Sequence, residues 1–250
     1  MDDKVELSVV IPAYNEAERI GPTIEALRAY LRANGVDYEI IVVSDGSTDA
    51  TESIVKQHVQ NDSRIKLVDY HPNKGKGRAV RVGMLEARKT NVLLSDADLA
   101  TPIEDLEKLQ QKALENGCDV VVGSRALKES VVIGWRPWYR ELSGIVFNKF
   151  VRLLAVPGIH DTQCGFKYFR NGAAARIFPQ ARLDGFGFDV EALFLARKLG
   201  YRIGETGVRW KNSPATKVSV FRHTLPMVCE VVRVRINDWK KRYEYPSSDR

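Results

Sequence analysis

Two carboxylates, Asp96 and Asp98, flank Ala97 directly after the short apolar run Asn91-Val92-Leu93-Leu94. Paired carboxylates on one loop can hold Mg2+ or Mn2+ through few protein bonds, leaving positions open for water and a diphosphate. A cation held there neutralises charge on a departing diphosphate as a Lewis acid. Alone, an Asp-x-Asp is equally well read as a solvated loop or a helix cap ahead of Pro102. Its weight comes from company. Three other apolar runs also end in polar groups: Pro12-Ala13-Tyr14-Asn15-Glu16, Ser44-Asp45-Gly46-Ser47 and Gly123-Ser124-Arg125. Tyr14 suits stacking on a base, and Glu16 and Asp45 suit hydrogen bonds to a ribose or base; both acids serve equally in the first turn of a helix. Asn73-Lys74-Gly75-Lys76-Gly77-Arg78 is a glycine-spaced basic loop, suited to a phosphate or to a solvated surface.

The elements that must position these groups are legible as alternating patterns. Leu7–Ile11, Tyr38–Val43, Ile65–Val68, Asn91–Leu94 and Asp119–Val122 are short, β-branched and almost continuously apolar. That is the pattern of strands covered by helices on both faces. Between them, Ile20, Ile24, Leu27 and Leu31 recur at helical spacing, as do Ile103, Leu106, Leu109 and Leu114. Gly46-Ser47-Thr48-Asp49 supplies turn and capping chemistry for a helix carrying Ile54 and Val55. The alternation predicts an α/β fold with a mainly parallel sheet and right-handed crossovers. In such a sheet ligands bind beyond the carboxyl ends of the strands, so the four polar segments are expected on one rim. Further along, a strand pair (Phe166–Phe169 and Tyr201–Val208) brackets a helix with Val190, Leu193, Phe194 and Leu199, and Leu225–Tyr243 is amphipathic.

Composition narrows the class. The chain has 250 residues, 44% hydrophobic and 28% charged, which excludes global disorder. A charge of +6 favours anionic partners, or is a basic solvated surface. Cys118, Cys164 and Cys229 form no C-x-x-C pair, so neither a disulfide framework nor a zinc site is expected. No basic start followed by an apolar run marks a secretory leader, and no window has the roughly 20 apolar residues of a membrane span. No recognition-helix or single-strand platform motif points to nucleic acid.

Together, Val10–Glu16, Val43–Asp49, Asn73–Gly77 and Asp96–Asp98 resemble the signature of glycosyltransferase family 2. The segments Asp161–Lys167 and Phe188–Glu191 are most similar to its dolichyl-phosphate β-glucosyltransferase branch, among the polyprenyl-phosphate sugar synthases. The resemblance implies a single GT-A type (Rossmann-like) domain over residues 1–220, with 221–250 a C-terminal amphipathic helix and tail rather than an independent domain. It implies nucleotide-sugar contacts at Pro12, Tyr14, Glu16, Val43, Asp45, Lys76, Asp96 and Ala97, with Asp98 and Asp96 as metal ligands for Mg2+ or Mn2+. Arg125, Arg140, Lys211 and Lys217 match basic positions that hold donor and acceptor phosphates. Lys211 stands where some relatives carry Arg, without that residue's bidentate fork. Gln163 and Asp189 complete the catalytic set.

The expected reaction is inverting transfer of glucose from UDP-glucose to dolichyl or polyprenyl phosphate. The alternatives are mannosyl transfer from GDP-mannose to the same lipid, or a family 2 transfer to a soluble or polysaccharide acceptor. A lipid acceptor calls for a peripheral position on the cytoplasmic face of a membrane. Two segments suit an interface: Ser130–Leu154, with Trp135, Trp138, Phe147 and Phe150 beside Arg136, Arg140, Lys149 and Arg152, and the basic C-terminal helix. The first also reads as a core helix with a charged outer face.

Overall fold

The computed structural model describes residues 5–134, 138–211 and 220–245. Seven strands form one sheet: β1 (Glu6–Ala13), β2 (Asp37–Asp45), β3 (Ile65–Tyr70), β4 (Asn91–Leu94), β5 (Val120–Ser124), β7 (Lys167–Arg170) and β8 (Ile203–Gly207). Their order is β3-β2-β1-β4-β7-β5-β8. Only β7 runs antiparallel, against β4 and β5. The two strands expected at Phe166–Phe169 and Tyr201–Val208 form as β7 and β8, with β5 lying between them in the sheet. Short β6 (Val131–Ile133) and β9 (Arg209–Lys211) form a separate parallel ribbon, which the sequence did not announce.

The continuous apolar runs have a simple cause. Alternate residues of a strand face opposite sides, and here both sides are covered. Leu7, Val9, Ile11, Ile40 and Val42 pack into one cluster with Ile20, Ile24, Leu27 and Leu31 of α1 (Ala17–Ala33) and with Val55 of α2 (Thr51–Asn61). Val10, Ile41 and Val43 pack into the other, against Ala79, Val80 and Met84 of α3 (Lys76–Glu86). Each such side chain, fully buried, contributes about 1.5–3 kcal/mol. Helix α4 (Leu106–Asn116) buries Leu106, Leu109 and Ala113, while Leu114 is 77% exposed. The expected Leu114 contact is thus replaced by Ala113, because Ile103 belongs to a short 3-10 turn and the α-helical stripe starts at Leu106, from which two turns, about seven residues, lead to position 113.

The other face is completed by α5 (Trp138–Leu154), α6 (Asn171–Ile177), α7 (Phe188–Lys198) and α8 (Val220–Trp239). Phe147 and Val151 of α5 belong to the core, which corrects the expectation that Phe147 serves as an interfacial anchor. Val231 and Val234 of α8 join the same cluster. Tyr243, past the helix end, is buried and its hydroxyl donates to Glu191 Oε1 at 2.6 Å.

Candidate active site

Chain order along the sheet turns back between β1, which leads to β2 and β3 on one side, and β4 on the other. At such a switch point the loops beyond the strand ends diverge and leave a crevice. The loop after β1 carries Tyr14 and Glu16; the loop after β4 carries Asp96 and Asp98.

A chain of contacts ties the rim together. Asn15, at φ 55, adopts a left-handed turn that Asn tolerates, and its Oδ1 accepts the Thr48 amide at 2.8 Å. Asp49 Oδ1 accepts the amide of Thr51, the first residue of α2, at 2.9 Å, while its Oδ2 accepts the Ala17 amide of α1 at 3.1 Å. Asp45 accepts from Asn73 Nδ2 at 2.9 Å and from the amides of Lys74 and Gly75 at 2.8 Å. The Asn73–Gly75 loop is therefore built onto the end of β2. Gly75 sits at φ 107, and a Cβ there would fall 2.3 Å from the Asp184 carbonyl, so only glycine suits it. The loop delivers Lys76, whose Nζ donates to Asp96 Oδ1 at 2.6 Å. Arg19 bridges the first and fourth loops, reaching Glu16 Oε2 at 2.6 Å through Nε and Asp98 Oδ2 at 3.5 Å through Nη1. Thr23 Oγ1 donates to the Ala97 carbonyl at 2.7 Å, pinning the segment between the two acids.

The far wall comes from β5 and the segment before β7. Arg125 Nε and Nη2 fork onto Asp161 Oδ2 and Oδ1 at 2.6 and 2.8 Å, and its guanidinium lies 5.7 Å from the Trp210 ring. Lys167, fully buried, donates to the Cys164 carbonyl at 2.5 Å and is ion-paired with Asp189. The Asp96 carboxylate rests against Gly165: a Cβ there would stand 2.0 Å from Oδ2. Gln163 Nε2 donates to the Phe186 carbonyl at 3.3 Å. Ser95, Asp96, Leu99, Gly165, Phe166 and Trp210 line a small cleft.

The electrostatics follow from three ion pairs set close together. Burial pushes the Asp96 carboxyl up, but Lys76 and Lys167 outweigh it and hold the group below the ordinary carboxylate range. Burial likewise opposes the charge on Lys76, and Asp96 with Asp189 more than restores it, so the ammonium persists above its usual range. Asp189 is raised, since its burial outweighs the lysines beside it. The Cys164 thiol is pushed up to about 11 by burial and by Asp161. It is a packed thiol, not a nucleophile.

The sequence-derived residues fall into groups. Lys76 pairs with Asp96, while Glu16 and Asp98 are joined through Arg19, a residue the sequence did not single out; Arg125, Gln163 and Asp189 belong to the wall that adjoins Asp96. Tyr14 is 43% exposed at the lip. The Val43 side chain is fully buried in the core and Pro12 is buried opposite it in β1, so a ligand would meet these two positions through their backbone. They place Asp45 and Tyr14. Ala97 is buried as well. Lys211 is exposed at the end of β9, its amide donating to the Ala100 carbonyl at 2.8 Å. The Arg140 side chain and Lys217 lie outside the described residues, as do Trp135, Arg136 and the Trp138 side chain. Sequence reasoning missed Gly165, Asp161, Lys167 and Trp210; Gly165 and Lys167 stand within the quoted Asp161–Lys167 motif, but their partners lie far off in sequence.

The donor set fits a divalent cation. Asp98 Oδ1 accepts one amide, from Ala100 at 3.1 Å, and its Oδ2 accepts from Arg19 Nη1 at 3.5 Å, a long contact. Among the described residues no three His, Cys, Asp or Glu side chains cluster into an all-protein cage. One or two hard carboxylates, with the remaining positions left to water and phosphate oxygens, is the pattern that Mg2+ favours.

The parallel sheet, its one reversed strand and the acidic loop at the switch point define a GT-A type transferase domain. The sequence profile of glycosyl transferase family 2 matches residues 8–178, and the chain belongs to that family. A dolichyl-phosphate beta-glucosyltransferase of Dictyostelium discoideum is 37% identical over 244 residues, covering 93% of this chain and 75% of that protein. The protein of the same name from Drosophila melanogaster is 38% identical over 254 residues, covering 94% and 77%. Among solved structures, glucosyl-3-phosphoglycerate synthase of Mycobacterium tuberculosis, in complex with Mn2+, uridine diphosphate and glucosyl-3-phosphoglycerate, superposes with a TM-score of 0.66 at 20% identity, covering 98% and 82%.

Proposed function

We propose that this chain transfers glucose from UDP-glucose to dolichyl or polyprenyl phosphate with inversion at the anomeric carbon. The observation that carries the reading is the Lys76–Asp96 contact, which brings a cation and a carboxylate from separate strand ends to one crevice beside Asp98. The names of the similar proteins supply the sugar and the lipid. In this reading residues 1–220 hold the chemistry, and 221–250 are not an independent domain, Val231, Val234 and Tyr243 joining the core.

The acceptor phosphate is already an anion at neutral pH, so it needs no side chain to deprotonate it. Its oxygen forms the new bond to the anomeric carbon as the bond to the diphosphate breaks, and UDP leaves with that electron pair. What the protein must do is hold two repelling anions within reach. Asp98 and Asp96 would hold Mg2+ or Mn2+, which when bound supplies Lewis-acid neutralisation at the diphosphate. Lys76 keeps Asp96 ionised and adds a positive charge at the rim. Arg125, fixed by its fork to Asp161, turns a permanent charge toward the cleft from the other side. Tyr14 and Asp45 frame the base, Asp45 through the loop it anchors. Gln163 and Asp189 stand on the sugar side, and Lys211, with Arg140 and Lys217, serves the acceptor phosphate. The site takes its place at the cytoplasmic face of a membrane.

The direct test is incubation of radiolabelled UDP-glucose or GDP-mannose with polyprenyl phosphate and Mn2+. Lipid-linked glucose is the expected product. Label in mannosyl lipid alone, or only in a soluble acceptor, overturns the assignment.

A further inference from the structure

Helix α8 has two apolar faces, and the core accounts for only one. Val231 and Val234 point inward. On the opposite side, Cys229, Val232, Ile236 and Trp239 recur at spacings of three and four, which puts them in one outward stripe. Val232 and Ile236 are exposed, and Trp239 is 82% exposed. A solvated helix seldom carries such a row ending in a bare tryptophan.

The charges around the stripe are sorted by sign. At 3.6 residues per turn, Arg235 flanks one edge, and Arg233 and Lys240 flank the other; all three are exposed. The acidic residues of the helix are turned away. Glu230 accepts the Gly187 amide at 2.7 Å, and Asp238 pairs with Lys198 at 3.0 Å and with Arg235 at 3.7 Å, so the Arg235 charge is partly neutralised within the protein. Within the described part of the helix, the outward face is therefore apolar along its middle and only cationic along its edges. Neighbouring α5 adds exposed Val146 and Leu153 around Lys149 on its own outward side.

We infer that the outer face of α8 is the surface by which this protein lies on an anionic lipid membrane, with Val232, Ile236 and Trp239 in the headgroup boundary and Arg233 and Lys240 among the lipid phosphates. An apolar stripe edged by cations is what an interfacial helix needs. The inference rests on the proposed lipid acceptor for its purpose, but not for its geometry. Of the first candidate segment, Phe147 is spent in the core, and Val146 and Leu153 are left to border the α8 stripe. Glu230 links the surface to the site, since it grips Gly187 immediately before α7, which carries Asp189.

The test is flotation of the full chain with phosphatidylcholine vesicles, with and without phosphatidylserine. Wild type is expected to float with the anionic vesicles, and Ile236→Asp/Trp239→Glu to lose at least about tenfold in bound fraction. Arg233→Glu/Lys240→Glu leaves the apolar row intact and is expected to lose binding to the anionic vesicles selectively. Thermal melts check that the variants fold, and transfer to a short-chain, water-soluble isoprenyl phosphate should match wild type. Wild-type flotation by both variants overturns the inference; so does a wild-type dimer that the first variant dissociates, without any flotation. Should wild type float yet glucosylate no isoprenyl phosphate, the functional reading fails and the docking surface stands.

Discussion

Lys76 Nζ lies 2.6 Å from Oδ1 of Asp96, joining the loop after β3 to the loop after β4. Each partner keeps the other charged despite the loss of water around them. The contact exists because Asp45 builds the Asn73–Gly75 loop onto β2 and Gly75 lets that loop pass close to Asp184. Position and charge thus have a single origin in the β2–α3 connection.

Removing the ammonium while keeping the stem isolates the charge. Lys76→Met is expected to lower kcat/KM for sugar transfer about 100-fold, the loss typical of one charged donor at a developing negative charge. Steady-state kinetics with the UDP-glucose donor measure this. An unchanged kcat/KM would make the pair merely structural.

Gly165 offers a steric test. Gly165→Ala places a methyl carbon 2.0 Å from the Asp96 carboxylate, so the acid or the loop must move. A displacement of about 1 Å costs on the order of 100-fold in rate. Kinetics beside a thermal melt should show activity falling far more than stability.

The Arg125–Asp161 fork governs acid stability. Burial raises the Asp161 carboxyl, but Arg125 outweighs burial and holds it below the ordinary range. A depressed folded value means that the stabilisation is complete above the unfolded value of about 4 and is lost as pH falls through the lower, folded one. Asp161→Asn leaves Arg125 without its counter-ion and should cost about 3 kcal/mol at neutral pH, while flattening the acid limb. Melting temperature against pH for both proteins checks the sign and the window.

The sequence carried the fold unevenly, for physical reasons. Strands buried on both faces announce themselves, so Leu7–Ile11 and Asn91–Leu94 were legible as continuous apolar runs. Direction within the sheet is not encoded in such runs, and the reversal of β7 went unseen. Leu114 and Ala113 show the limit of counting: one residue of drift exchanges an exposed leucine for a buried alanine. At the site, Asp96, Asp98 and Lys76 were visible because each stands in a short motif at a strand or helix end. Asp161 and Lys167 act through partners 36 and 22 residues away, which spacing alone cannot pair. Val43 stands two residues before Asp45 on the same face of β2, where its side chain is sealed into the core, so the motif Val43–Asp45 does not by itself tell which of its groups meets a ligand.

In the proposed reaction Asp98, beside Asp96, holds the divalent ion on which departure of the nucleotide diphosphate depends. The most direct measurement is glucose transfer from labelled UDP-glucose to polyprenyl phosphate by wild type and Asp98→Ala, each after EDTA treatment and again after Mn2+ is restored. The expected result is a wild-type rate that collapses in EDTA and returns with Mn2+, with Asp98→Ala at least about 100-fold slower throughout. Transfer by EDTA-treated Asp98→Ala at the untreated wild-type rate would contradict it.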